Sequence, residues 1–220
     1  MSDVVLFGLG DFAQVALEYL RRDSPHEVVA FTVHERYIEA RELLGVPVVP
    51  FEGVEETHPP SQCAIFVAVG FSRVNRTRHH IYDECRNRGY ELISYVNSKA
   101  VHWDDLNIGD NCFIFEANVI QPFVRIGNDV ILWSGNHIGH HAKIDDHCFI
   151  ASHVVISGNV TIGEETFVGV NATLRDGVTV APRCVIGAGA LVMKDTEEGG
   201  VYALPGTEAR PTKSWDLKGF

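Results

Sequence analysis

Five of the eleven histidines crowd into one short stretch: His137, His140, His141, His147 and His153. Imidazoles so close together suit either of two chemistries, a metal centre or proton transfer near neutral pH. Far upstream, Gly8-x-Gly10-x-x-Ala13 follows a short apolar run. Such a turn lets a phosphate approach backbone N–H groups at a helix N-terminus. The five cysteines, by contrast, have no flanking base or cationic turn that would activate a thiolate.

What must position the histidines is legible in a strict period. From Ile108 to Val192 an aliphatic residue recurs every six positions, as in Ile126, Leu132, Ile138, Ile144, Ile150 and Ile156. A helix repeats at 3.6 residues and a strand at 2, so a period of six means short strands joined by turns at equal intervals. Two residues earlier stands a small or β-branched residue in most hexads, among them Cys112, Ala142, Cys148 and Cys184, with Asn118 and Asn136 as polar exceptions. These fill the inside of a narrow prism. Glycine often follows the aliphatic directly (Gly109, Gly127, Gly139, Gly163, Gly169, Gly187), which predicts a corner needing φ > 0. Three hexads per turn make a parallel β-helix with 18 residues per coil.

Residues before about 97 lack the hexad. Val4–Phe7, 28–33, 46–49 and 65–69 read as strands, the Gly turn opens a helix to about Arg22, and a second helix spans about 74–88. The alternation predicts a small Rossmann-like α/β unit with a parallel sheet. The expected division is 1–97 (α/β), 98–198 (coil) and 199–220 (tail). Glu35, near the end of the second strand, suits a nucleotide's ribose. The basic helix with Arg73, Arg76, Arg78, His79, His80, Arg86 and Arg88 reads as a solvated face balancing an acidic protein, with a phosphate contact as the alternative.

An 18-residue ruler decides between the two histidine chemistries. Side chains stack along one face only when their numbers differ by multiples of 18, and no two of the five histidines do, so no intrachain metal site is expected. His140 and His141 follow Ile138-Gly139 and project outward from a corner, with Gly158 one coil on. A base on one rung and an unobstructed N–H on the next are what acyl transfer requires. Asn118 and Asn136 do stack, as an internal amide ladder.

Charge and hydropathy narrow the partners. A net charge of −11 and pI near 5.4 oppose binding to nucleic acid. No run approaches the ~20 apolar residues that cross a bilayer, and MSDVVLFGLG lacks a signal peptide's basic start, so a cytoplasmic protein is expected.

The coil behind a Gly-turn domain, with Ile138-Gly139-His140-His141 and Ser157-Gly158-Asn159-Val160, resembles the left-handed β-helix acyltransferases of bacterial nucleotide sugars. These include 4-amino-sugar N-acetyltransferases and sialic acid O-acetyltransferases. The resemblance implies a left-handed coil, a homotrimer, acetyl-CoA as co-substrate and no metal. It implies His140 as general base beside His141, with the Gly158 N–H for the thioester oxygen. Phe149, Gly158, Val170, Ala188 and Arg210 would line the coenzyme groove, and Gly10, Asp11, Phe12, His34 and Glu35 would hold the nucleotide sugar. Three features depart from the family pattern: His141 stands where an acid usually follows the base, His34-Glu35 replaces an acidic pair, and 204–210 replaces the usual Gly-x-Pro-Ala-Lys/Arg ending. An amine acceptor is expected; a sugar hydroxyl, a γ-type carbonic anhydrase and a non-catalytic nucleotide-sugar sensor are the other readings.

Overall fold

The computed structural model describes residues 3–217. Strand β1 (Asp3–Phe7), helix α1 (Asp11–Asp23), β2 (Glu27–Val33), β3 (Glu42–Leu43), β4 (Val46–Pro50), a one-turn helix α2 (Val54–Thr57), β5 (Cys63–Val67) and α3 (Arg76–Asn87) form the first unit. The sheet order is β3-β4-β2-β1-β5, parallel except for the β3–β4 pair. This is the order of a mononucleotide-binding half-fold, with its ligand side at the carboxyl ends of the strands. Cys63 opens β5 and Cys85 lies in α3, both unpaired and buried.

The remainder is a left-handed parallel β-helix of two-residue strands. Residues pair with partners 18 apart, as in Ile126↔Ile144, Ile131↔Phe149 and Ile138↔Ile156. Three faces result. Tyr95, Phe113, Ile131, Phe149, Phe167, Val185 and Val201 mark the docked face, on which the α/β unit sits. Asn107, Arg125, Lys143, Thr161 and Thr179 mark a polar face, and Val119, His137, Val155, Thr173 and Leu191 an apolar one. Tyr95–Val96 is already a rung of the docked face, and Val201–Tyr202 extends the same face beyond 198.

The interior is filled as the hexad predicts: Cys112, Val130, Cys148, Val154, Val160, Ala172 and Cys184 are wholly buried. Burial lifts the Cys112 thiol to about 12 and pushes Cys148 up as well, so these are packing groups. Asn118 and Asn136 satisfy backbone rather than each other. Asn118 Nδ2 donates to the Phe115 and Trp133 carbonyls, and Asn136 Oδ1 accepts from Val154 N–H at 2.7 Å.

The glycines after the aliphatics are not there for positive φ, contrary to expectation. The left-handed residue is two positions later, at Ala117, Phe123, Asp129, His141, His147, His153, Asn159, Glu165 and Asn171. The glycines instead permit close approach between coils: a Cβ on Gly139 would lie 2.5 Å from the Ser157 carbonyl carbon, and one on Gly169 2.7 Å from Ala188 N. Histidine and asparagine tolerate the left-handed region better than most residues. The corner therefore supplies a backbone reason for His141, His147 and His153 independent of chemistry.

Helix α3 is fastened to the coil by buried polar groups, which overturns its reading as a solvated face. Arg78 is wholly buried; its Nε meets Asp129 Oδ1 at 2.9 Å, and its Nη2 donates to the Asp129, His147 and Cys148 carbonyls. Asp129 also accepts from Asn111 Nδ2 and contacts His147 Nδ1 at 2.9 Å. Asn75, at φ 65°, donates to the Glu165 and Thr166 carbonyls.

Candidate active site

His140 stands at the corner between the apolar and polar faces. Its backbone N–H donates to Gln121 Oε1 at 2.9 Å, and its Nδ1 lies 3.2 Å from His141 Nδ1. One of those two nitrogens must carry a hydrogen and the other accept it. The left-handed backbone of His141 turns its ring onto Phe123, with centroids 4.7 Å apart. The imidazole of His140 lies over Gly158: a Cβ there would be 2.6 Å from His140 Cε1, 2.8 Å from Nε2 and 2.9 Å from Asp176 Oδ1.

At this corner Asn159 N–H bonds the His140 carbonyl and Gly177 N–H bonds the Gly158 carbonyl, both at 2.9 Å. Among the described residues the Gly158 N–H meets no acceptor. Gly158 has no left-handed φ, so glycine is needed here for space alone. An imidazole beside an unpaired N–H can take a proton from a nucleophile and hold an oxyanion. Asp176 escaped the sequence reading, although it lies two 18-residue coils beyond His140.

Phe149, Val170 and Ala188 come together on one apolar groove of about 390 Å³ at the corner between the docked and apolar faces. Phe71, Trp133 and Phe167 complete its aromatic wall, and the Trp133 Nε1 is buried without a partner. Gly158 and Arg210 are elsewhere; Arg210 is exposed in an irregular tail. Residues 218–220 of the 199–220 tail lie outside the described residues.

His34 lines a cleft of about 820 Å³ with Arg36, Tyr37, Arg73, Arg76, His80 and Glu84. The cleft opens at the carboxyl ends of the strands, where α/β sheets receive ligands. His34 is held between Glu52 (3.1 Å) and Glu84 (3.4 Å) and edge-on to Phe7 and Phe51. Although burial works against it, hydrogen bonds from the Glu35 N–H and His34 keep the Glu52 carboxyl below its ordinary range. Gly10 caps α1 without crowding, and Asp11 and Glu35 are exposed at the same edge of the sheet. Phe12 departs from the expected role: its ring is buried against Phe66, Phe113, Phe115 and Trp133, so it packs the α/β unit onto the coil. Of the basic helix, Arg73 and Arg76 reach the cleft, while Arg86 is engaged by Asp110 and Tyr82.

Among the described residues no group of three or more His, Cys, Asp or Glu side chains is placed to hold a metal ion. No helix there is long and apolar enough to cross a membrane.

The bacterial transferase hexapeptide family (six repeats) matches residues 123–158 and 159–194, the part of the coil that carries His140 and Gly158. Two solved structures share the whole architecture. Perosamine N-acetyltransferase from Caulobacter crescentus, as a histidine-to-asparagine variant in complex with CoA and GDP-perosamine, is 25% identical at a TM-score of 0.81, covering 92% of this chain and 94% of that one. The acetyltransferase domain of PglB from Neisseria gonorrhoeae is 24% identical at 0.80, covering 92% and 97%. WeeI from Acinetobacter baumannii is more distant, 15% identical at 0.56, covering 87% and 96%. No curated protein matches the sequence.

Proposed function

We propose that this chain is an acyltransferase that moves the acetyl group of acetyl-CoA directly onto the amino group of a nucleotide-linked amino sugar. The observation that carries the reading is the meeting of the His140 imidazole with the unpaired Gly158 N–H across a position that excludes any side chain. The likeness over nearly the full length to an N-acetyltransferase solved with CoA and GDP-perosamine supports it.

His140 Nε2 takes the proton as the amine nitrogen attacks the thioester carbon; the N–C bond forms and the C–S bond breaks. The Gly158 N–H holds the developing oxyanion, and the proton passes on to the departing sulfur to give free CoA thiol. The apolar groove of Phe149, Val170 and Ala188 suits the coenzyme's uncharged arm, while Arg36, Arg73 and Arg76 suit the phosphates of the nucleotide. In this reading residues 1–97 bind the nucleotide sugar, 98–198 carry the chemistry and 199–220 form an accessory tail.

The assembly that fits is a homotrimer. His140 lies on the corner opposite the docked face, so the base and nucleotide cleft of one chain are on different sides of the prism. The apolar face beside the His140 corner exposes Val119 (39%) and Leu191 (62%), with Val101 (60%) at its end, a surface for a second copy. Five unpaired cysteines agree with a reducing cytoplasm.

The test is thiol release from acetyl-CoA with UDP-, GDP- and dTDP-linked amino sugars. His140→Ala should lose about 10²–10⁴ in rate while keeping its assembly. Near-wild-type turnover would sink the assignment.

A further inference from the structure

His140 poses a chemical problem. A histidine base needs a partner for Nδ1, to fix the tautomer that leaves Nε2 bare, and a charge that favours the imidazolium formed on proton transfer. The residue after it is a second imidazole, which can satisfy the first need but supplies no charge for the second.

The geometry divides the two needs between different coils. His141 Nδ1 is 3.2 Å from His140 Nδ1. If His140 Nδ1 carries the hydrogen and His141 Nδ1 accepts it, His140 Nε2 is the bare nitrogen, and Nε2 is the one lying over Gly158. On the far side of that glycine is the Asp176 carboxylate: Oδ1 and the imidazole Nε2 are within 2.9 and 2.8 Å of the same vacant Cβ point. His140 and Asp176 form no direct hydrogen bond, so the carboxylate acts through space, across the volume that Gly158 keeps open. Gln121, the other group on His140, is uncharged and bonds only its backbone. His141, through its ring nitrogen, and Asp176, across the Gly158 space, are titratable groups that face the base.

We infer that Asp176 is a positioning residue for the transfer reaction, raising the basicity of His140 from two coils away, while His141 sets the tautomer. The inference rests on His140 being the base. A carboxylate at this distance favours the imidazolium, so it raises both the proton affinity of Nε2 and the rate at which the bare form accepts the amine proton.

The sign is specific. Activity requires neutral His140 and therefore rises with pH through its pKa. Removing the Asp176 charge lowers that pKa, moving the acid limb of the kcat/KM profile to lower pH while the plateau falls. Asp176→Asn should lower the plateau about 3- to 10-fold and shift the limb down, and Asp176→Glu should restore most of both. A merely structural role would lower the plateau and leave the limb in place. The imidazole of His140, titrated by NMR in wild type and Asp176→Asn, gives a readout independent of turnover and should show the same downward shift. An unmoved limb with an unmoved imidazole titration overturns the inference. An active His140→Ala enzyme would instead overturn the base assignment beneath it, so the two failures are told apart.

Discussion

Two glycines of one corner, Gly139 and Gly158, show how differently a missing side chain can be used. A Cβ on Gly139 would meet backbone of the next coil at 2.5–2.9 Å, whereas one on Gly158 would meet the ends of the His140 and Asp176 side chains. Backbone in a stacked coil cannot yield; side-chain ends at a corner can. Gly139→Ala should therefore destabilise the fold by about 1–3 kcal/mol in thermal or denaturant unfolding. Gly158→Ala should leave the melting temperature within a degree or two and cut kcat by more than about tenfold, by displacing the base. Equal losses of stability in the two variants would refute the distinction. At this scale the 18-residue ruler already placed Gly158 beside His140. It would have found Asp176 too, had it been carried one coil further. The contact between His140 and His141 was not legible, because it depends on the left-handed φ of 59° at His141 and hence on where in the corner that conformation falls.

Among the elements, α3 departs most from what its composition suggests. Seven basic or histidine residues over 73–88 look like a solvated charge face, yet Arg78 is the largest wholly buried side chain among the described residues. Its partner Asp129 is buried as well, so removing the guanidinium leaves a carboxylate without its counter-ion. Arg78→Ala should cost about 3–5 kcal/mol, measured by denaturant unfolding; a loss below 1 kcal/mol would show that the α/β unit is held by its aromatic contacts alone. A milder tie joins the end of α1 to the start of the coil. Asp23 accepts from Ser98 N–H at 2.8 Å and Tyr95 Oη at 2.6 Å, and these bonds, Ser98 foremost, hold its carboxyl below the usual range. A carboxyl depressed in the native state contributes stability above its unfolded pKa and loses it as pH falls through the native one. Asp23→Asn should therefore lower Tm by about 2–6 °C at neutral pH, with the gap to wild type closing in acid. A gap that stays constant to pH 3 would contradict this.

On the scale of the whole molecule, the proposed homotrimer brings the base corner of one chain to the nucleotide cleft of its neighbour, so that in this reading assembly is a condition of activity. His140→Ala and Arg76→Ala should each be poorly active alone. Subunits mixed by unfolding and reassembly in equal amounts should regain about a quarter of wild-type turnover, since random pairing brings an intact base to an intact cleft at that frequency. A mixture no more active than its parts would place the whole site within one chain.

The sequence alone determined the architecture. A side chain that must point inward every sixth residue imposes its period whatever the rest of the chain does, and the hexad is that constraint written out. It also determined the registry that sets Gly158 beside His140, because registry in a coil is arithmetic. What only the tertiary structure decided depends on meetings between elements with no common period. These are the burial of Arg78 against Asp129, the turning of Phe12 into the coil instead of toward a ligand, and the gathering of Arg36, Arg73 and Arg76 around His34. The same holds for the glycines after each aliphatic. Their identity was visible, but whether they serve a φ angle or a close approach is settled only when the next coil's backbone lies against them.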